Sequence, residues 1–336
     1  MGDMFDVRRV LFPEAHRVSV VDSRESLSPG SDEVLIRTRY SLISAGTELA
    51  KLSGLQSVDH PHAPGNRAVG EVLAVGDDVR RVAAGDLVFA HTPHASHALT
   101  RGFCVRVPDG VRPEHAASLG LSLVAMTAVR VGRPELGDRA VVFGMGLVGN
   151  LCAQLYRLSG VEVVVVDTSA ARLETARRCG LDYGVQSGSA DTAEKILALT
   201  GGRGAEYVVD ATGNPTVIET ACAVARRGGE VILLGSPRGE HLADVTPLLN
   251  RVHLWREHAS LTLKGAHEWR YPPYQDAFSK HSMERNAVIL FGLMQSDRLA
   301  LEPLLTHVLP ATRAPEAYRG LLEQPEAWLG VLLDWS

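Results

Sequence analysis

The chain has 336 residues, 45% hydrophobic and 22% charged, with a formal net charge of -5, a balance that fits a soluble globular protein of about two domains. With no long Lys/Arg block it argues against nucleic acid as a main partner and suits a small, even cationic, substrate. No stretch approaches the ~20 apolar residues of a membrane span, and Met1 to Val10 has no long apolar core, so a cytoplasmic protein with no membrane partner is expected. Cys104, Cys152, Cys179 and Cys222 are scattered without a CxxC pair, which suggests neither a disulfide framework nor a Cys-rich zinc site.

From Val7 to about Leu123 the pattern is one of short alternating strands broken by Gly and Pro: Val34 to Tyr40, Gly70 to Gly76, and Asp86 to Phe89. It predicts an all-β, barrel-like segment. Pro108 and Pro113 punctuate its end, and an apolar helical stretch, Ala116 to Val131, leads onward.

The stretch Ala140 to Asn150 reads as a buried strand, a glycine turn and the opening of a helix. Gly144 permits the tight turn, Gly146 lets the backbone approach a pyrophosphate, and Gly149 lets the helix pack close to the strand. Met145, Leu147 and Val148 fill the loop between them, and the helix start offers N–H groups to the phosphates. Leu147 to Leu158 supplies the helix, and Val161 to Val166 a second buried strand ending in Asp167. An acid there accepts hydrogen bonds from ribose hydroxyls and repels a 2′-phosphate, so the expected cofactor is NAD rather than NADP. Thr168 and Arg172, just beyond it, are further cofactor-binding candidates. Strand and helix continue to alternate: helices over Ala170 to Cys179 and near Ala193 to Leu199, the strand Tyr207 to Asp210, a helix from Pro215 to Ala225, and the strand Glu230 to Leu234. Alternation of this kind means a parallel sheet with ligand at the carboxyl ends of its strands. Ala211, Thr212 and Gly213 at one such end, and Leu234, Gly235 and Ser236 at another, are expected to line the cofactor. After Leu261 to Gly265 come a loop rich in His and aromatic residues, a helix over Asn286 to Met294 and a mixed tail that returns to the first domain.

Several stretches together carry a resemblance. Ala45-Gly46-Thr47-Glu48, Pro64 to Val72 with Gly65-Asn66-Arg67 inside it, and Leu301 to Pro310 resemble motifs of the medium-chain dehydrogenase/reductase superfamily, the zinc alcohol dehydrogenase type, over nearly the whole chain. The resemblance implies an α/β chain: a GroES-like β-rich catalytic domain from 1–123 with 265–336, and a Rossmann doubly wound parallel-sheet domain from 124–264. It also implies a homodimer. Departures from the family pattern bear on the chemistry. A catalytic zinc needs a thiolate, an imidazole and a third ligand, but Ala45 stands for the Cys and Asn66 for the His, while the third position falls near the apolar Leu121 to Leu123. The four-cysteine structural lobe is missing as well, and the family's relay histidine is Ala50. A zinc-free member is therefore expected.

Thr47 keeps the family's substrate-bonding hydroxyl, although a threonine in a turn is also a common local cap. Arg67 and Glu48 flank the former metal position; Arg67 either supplies the fixed positive charge once given by zinc or forms a structural ion pair there. His91, His94 and His97 are regularly spaced, but residues three apart on a strand face opposite ways, so a metal site needs a turn at Pro93; His94 stands instead as a candidate general base. His267 and Glu268, in the loop Gly265 to Tyr271 with Trp269 and Arg270, are further proton acceptors, and Lys51 is a weaker one. The expected function is NAD-dependent, zinc-independent interconversion of a secondary alcohol and a ketone on a polar small molecule such as a sugar, cyclitol or aminoglycoside intermediate. The alternatives are an NADPH-dependent C=C or quinone reductase and a non-catalytic NAD-binding protein.

Overall fold

A computed structural model describes residues 3–336. The chain forms two compact units: residues up to Gly120 with Pro273–Arg298 and Leu304–Ser336, and Leu121–Pro272 with Leu299–Pro303.

The first unit opens with an antiparallel pair, β1 (Asp3–Leu11) and β2 (Ser19–Leu27). There follow β3 (Val34–Leu42), helix α1 (Ala45–Leu52), β4 (Ala68–Val75), β5 (Leu87–Ala90), β6 (His97–Thr100), β7 (Cys104–Arg106) and a short α2 (Pro113–Ala116). Helix α3 (Leu119–Gly132) then leads into the second unit. That unit holds β8 (Arg139–Phe143), α4 (Leu147–Leu158), β9 (Glu162–Asp167), α5 (Ala170–Arg178), β10 (Tyr183–Gln186), α6 (Thr192–Leu199), β11 (Ala205–Asp210), α7 (Val217–Val224), β12 (Ala225–Leu233), α8 (Thr246–His253) and β13 (Thr262–Gly265). The chain returns to the first unit with α9 (Met283–Gln295), β14 (Leu305–Pro310), α10 (Ala314–Glu323) and β15 (Gly330–Asp334).

In the second unit every strand pairs in parallel, in the order β10-β9-β8-β11-β12-β13. Numbered from β8 this is 3-2-1-4-5-6, the doubly wound order whose direction reverses between its first and fourth strands and leaves a crevice at their carboxyl ends. Val163 to Val166 are all buried, as expected of a strand covered on both faces. The first unit's larger sheet runs β14-β15-β3-β4-β5-β7, with β6 on β3. Helix α10 presents Ala314, Ala317, Tyr318 and Leu321, spaced i, i+3, i+4, i+7, to a core that includes Val10, Phe12, Ile43 and Leu52. Each large apolar side chain buried there is worth about 1.5–3 kcal/mol, and Phe12 meets the Tyr318 ring edge-on at 5.2 Å.

The region Ala45 to Glu48 differs from its reading as a turn: it is the first turn of α1. Gly46 and Thr47 are weak helix formers, so local propensity conceals this helix. It is held instead by the Glu48 carboxylate, which reaches back to accept the Ser44 N–H at 2.7 Å.

Candidate functional site

At the crevice of the parallel sheet, Gly144 takes φ +90°, the left-handed region open to glycine. A Cβ on Gly149 would lie 1.8 Å from the Gly144 carbonyl oxygen, so α4 approaches β8 as closely as two backbones can. A Cβ on Gly146 would meet nothing within 4 Å. Gly146 caps α4 without a side-chain hydrogen bond, which leaves the N–H groups of the first turn for an incoming acceptor. The open space over Gly146 fits a pyrophosphate. Met145 and Leu147 are buried and Val148 is partly exposed, so the loop offers backbone rather than side chains.

Asp167 is 6% exposed. Its Oδ2 accepts the Met145 N–H at 2.6 Å and its Oδ1 the Ser169 N–H at 2.8 Å, while Arg172 Nη1 lies 3.9 Å away. A carboxylate has about four lone-pair sites, so two remain for hydroxyls of a ligand. The acid thus ties the glycine loop to the end of β9, a role the sequence did not suggest. Thr168 is exposed. On the other side of the crevice, Asp210 holds Thr212 through its N–H and hydroxyl at 2.8 and 2.6 Å. Gly213 and Gly235 pack so closely that a Cβ on Gly235 would lie 2.4 Å from the Gly213 nitrogen. Ala211, Gly213 and Gly235 are partly exposed, Ser236 is exposed and Leu234 is buried beneath them.

In the first unit, α1 brings the candidate residues Glu48 and His94 into one network. Glu48 is buried, and beyond the Ser44 N–H its carboxylate accepts the Tyr318 hydroxyl at 2.5 Å and the His94 Nε2 proton at 3.0 Å. Ser41 Oγ lies 2.7 Å from His94 Nδ1 and accepts the Trp335 indole N–H at 2.9 Å. Burial works to raise the Glu48 pKa, but the His94 charge and the hydrogen bonds from His94, Tyr318 and Ser44 outweigh it and hold the carboxyl below its usual range. The same burial and the Glu48 carboxylate push the Tyr318 phenol well above its ordinary value. Serine, imidazole and carboxylate stand in a row as in a hydrolase triad, but Ser41 and His94 have no exposed surface. With both nitrogens engaged under α1, His94 is placed to hold the helix rather than to meet a substrate.

Arg67 is 3% exposed, and its Nη1 donates to Ser44 Oγ and Asn66 Oδ1, both at 3.2 Å. Its stem fills the space left by Gly120, where a Cβ would meet Arg67 Cδ at 2.1 Å. Glu48, read from the sequence as the arginine's possible ion-pair partner, pairs with His94. Asn66 is exposed and Thr47 partly so. His91 and His97 part from His94: His91 packs against Phe89 and Phe103 at 5.9 and 5.6 Å, and His97 against Phe5 at 5.1 Å. His267 and Glu268 belong to the second unit; His267 precedes a short 3-10 turn, Glu268–Arg270, and Trp269 is 57% exposed. Sequence reasoning missed Ser41, Ser44, Tyr318 and Trp335. The last two lie in the tail and carry no local signal of a partner so far away.

Comparison with known proteins places these features in context. An alcohol dehydrogenase GroES-like domain matches residues 30–129, and a zinc-binding dehydrogenase domain matches residues 148–269. D-guloside 3-dehydrogenase of Escherichia coli (strain K12) is 25% identical over 347 residues, covering 94% of this chain and 96% of that protein. Sorbitol dehydrogenase of Gallus gallus is 27% identical over 338 residues, covering 89% and 88%. The crystal structure of galactitol-1-phosphate dehydrogenase from Escherichia coli superposes with a TM-score of 0.84 at 18% identity, over 97% of this chain and 99% of that one, a likeness of fold. Among the described residues no helix is long and apolar enough to cross a membrane.

Proposed function

We propose that this chain, which belongs to the medium-chain dehydrogenase/reductase superfamily in its alcohol dehydrogenase-like branch, is an NAD-dependent, zinc-independent oxidoreductase. It interconverts a secondary alcohol and a ketone on a polar sugar, cyclitol or aminoglycoside-type substrate. The observation that carries the cofactor reading is the glycine loop at the reversal point of the sheet, open over Gly146 and tied to Asp167. The relatives named as sugar and polyol dehydrogenases support the substrate class.

NAD would be held by the first-turn N–H groups of α4, by Asp167 with Arg172 and Thr168, and by the loops Ala211 to Gly213 and Leu234 to Ser236; bound there, it supplies the hydride acceptor. The remaining work falls to the chain. Removing hydride from a carbinol requires its oxygen to lose a proton, and returning hydride requires the ketone oxygen to be polarised. Thr47 bonds that oxygen, and Arg67 and Asn66 stabilise its negative charge. Glu48, with His94, Tyr318 and Ser41 behind it, fixes the helix that carries Thr47, and one of the His267–Glu268 pair is the proton acceptor. Zinc independence is supported by donor chemistry: Ala45 offers a methyl and Asn66 a neutral amide, which do not fit zinc, and the adjacent guanidinium repels a cation. The homodimer belongs to the same proposal, supported by β13, an edge strand with Thr262, Leu263 and Gly265 exposed.

Thr47→Val should lower turnover by about a hundredfold, the usual cost of a lost transition-state hydrogen bond, with NAD affinity unchanged. Arg67→Met that folds and binds NAD but turns over slowly assigns the charge to catalysis. Full activity in both variants refutes the site.

A further inference from the structure

Three basic side chains gather beside α1 that the reaction as described does not use. Lys51 follows Thr47 by four residues, so the two share one face of the helix, about one turn of 5.4 Å apart. Both are partly exposed, whereas Glu48 and Leu52 face the core. Downstream of the helix the chain doubles back, and His62 and Phe12 exchange both backbone hydrogen bonds at 2.8 and 2.9 Å. This fixes the His62 ring against Lys51, with Nζ 3.4 Å from Nε2. His60 joins from the same segment, its Nδ1 3.1 Å from the Phe12 carbonyl.

The proton positions follow from the partners. A carbonyl only accepts, so the His60 Nδ1 carries a proton. An ammonium only donates, so His62 Nε2 accepts from Lys51 and the ring is neutral. Burial, Lys51 and His60 depress the His62 pKa, against a smaller upward pull from Glu48. Among the described residues none of the three bases has an ion-pair partner. Of the neighbouring charges, Glu14 pairs with Arg17 at 3.2 Å and Glu48 with His94 at 3.0 Å, and His16 and Asp59 are exposed. In a chain of net charge -5, this sets the Lys51 ammonium beside two imidazole rings. An oxyanion arriving there would meet the Lys51 ammonium and draw a proton onto the neutral His62 ring, adding a second charged donor.

We propose that Lys51, His60 and His62 form a subsite for an anionic substituent of the substrate, a phosphate monoester or a carboxylate, lying a few bonds from the carbinol held by Thr47. The placement beside the carbinol rests on the reading of Thr47 given above; the anion site itself stands on the cluster.

The test is a titration of the full chain without cofactor, following the histidine ring Cε1–H signals by NMR as inorganic phosphate or glycolate is added at constant ionic strength near pH 6.5. Saturable shifts of His62 and His60, with the His62 pKa rising by about one unit and at least tenfold weaker binding in Lys51→Met restored in Lys51→Arg, support the subsite. Phosphate binding alone selects the phosphate monoester, glycolate binding alone the carboxylate. No saturable shift, or one unchanged in a folded Lys51→Met, overturns it. Rate measurements then compare a neutral polyol with its phosphate ester or aldonate. Lower kcat/KM for the anionic form overturns the placement beside Thr47, while absence of turnover with every substrate, the shifts persisting, counts against the proposed reaction and leaves the subsite supported.

Discussion

Replacing Gly149 and Gly146 by alanine, one at a time, separates the architecture of the glycine loop from its ligand chemistry. At Gly149 the new Cβ would lie 1.8 Å from the Gly144 carbonyl oxygen, against the 3.0 Å below which real Cβ contacts are essentially never found. Because the obstacle is backbone, α4 must shift by more than an ångström from β8. Overpacking of this kind costs about 1–3 kcal/mol, and with no side chain able to move aside the upper end is expected. At Gly146 the same atom meets nothing within 4 Å, and the residue sits at φ -65° and ψ 179°, open to alanine. Loss of stability there should be limited to alanine's poorer capping, about 1 kcal/mol or less. The added methyl occupies the space over the α4 N-terminus where a pyrophosphate would lie, so NADH affinity should fall at least tenfold, or about 1.4 kcal/mol. Urea denaturation measures the first effect and calorimetric titration the second. A Gly146→Ala protein that binds NADH within about a factor of two of the unsubstituted chain would refute the placement of the pyrophosphate.

Glu48, with its pKa held below the ordinary carboxylate value of 4.5, contributes stability that is full above that value and is lost as pH falls through the folded-state pKa. The urea midpoint should therefore drop more steeply between about pH 5 and 3 in the unsubstituted protein than in Glu48→Gln; parallel curves would contradict the ion pair. Glu48→Gln should itself cost about 3–5 kcal/mol at neutral pH, the penalty for breaking a buried pair, read from the same denaturation curves. Asp167→Ala should weaken NAD binding and narrow the preference over NADP as repulsion of the 2′-phosphate is removed; tighter binding of NADP by the unsubstituted protein would contradict the NAD assignment.

The doubly wound sheet was legible because its central strands β8 and β9 are largely buried and read as short valine-rich runs, separated by glycines with fixed geometric roles. β10 carries no such signal: it is a four-residue edge strand containing Gly184, too short and too exposed to stand out. In the first unit β1 and β2 carry charges along much of their length, so no clean alternation marks them. Helix α1 was hidden by Gly46 and Thr47, whose weak propensity is overridden by contacts from distant segments. The candidate site shows the same division. Thr47, Glu48, Asn66 and Arg67 stood out because they occupy motif positions, whereas the network around Glu48, with His94, Tyr318, Ser41 and Trp335, is assembled only by folding. Lys51 could be seen beside the motif, but its pairing with His62 depends on a backbone exchange with Phe12 that no local pattern announces.

The most direct test of the account is the initial rate with NAD and a panel of neutral and anionic polyols, measured on protein freed of metal by chelation and checked by metal analysis. The account predicts nicotinamide reduction at a rate unchanged by chelation, with far less than one zinc per chain. Activity that vanishes on chelation and returns with added zinc would contradict it, as would turnover confined to NADP.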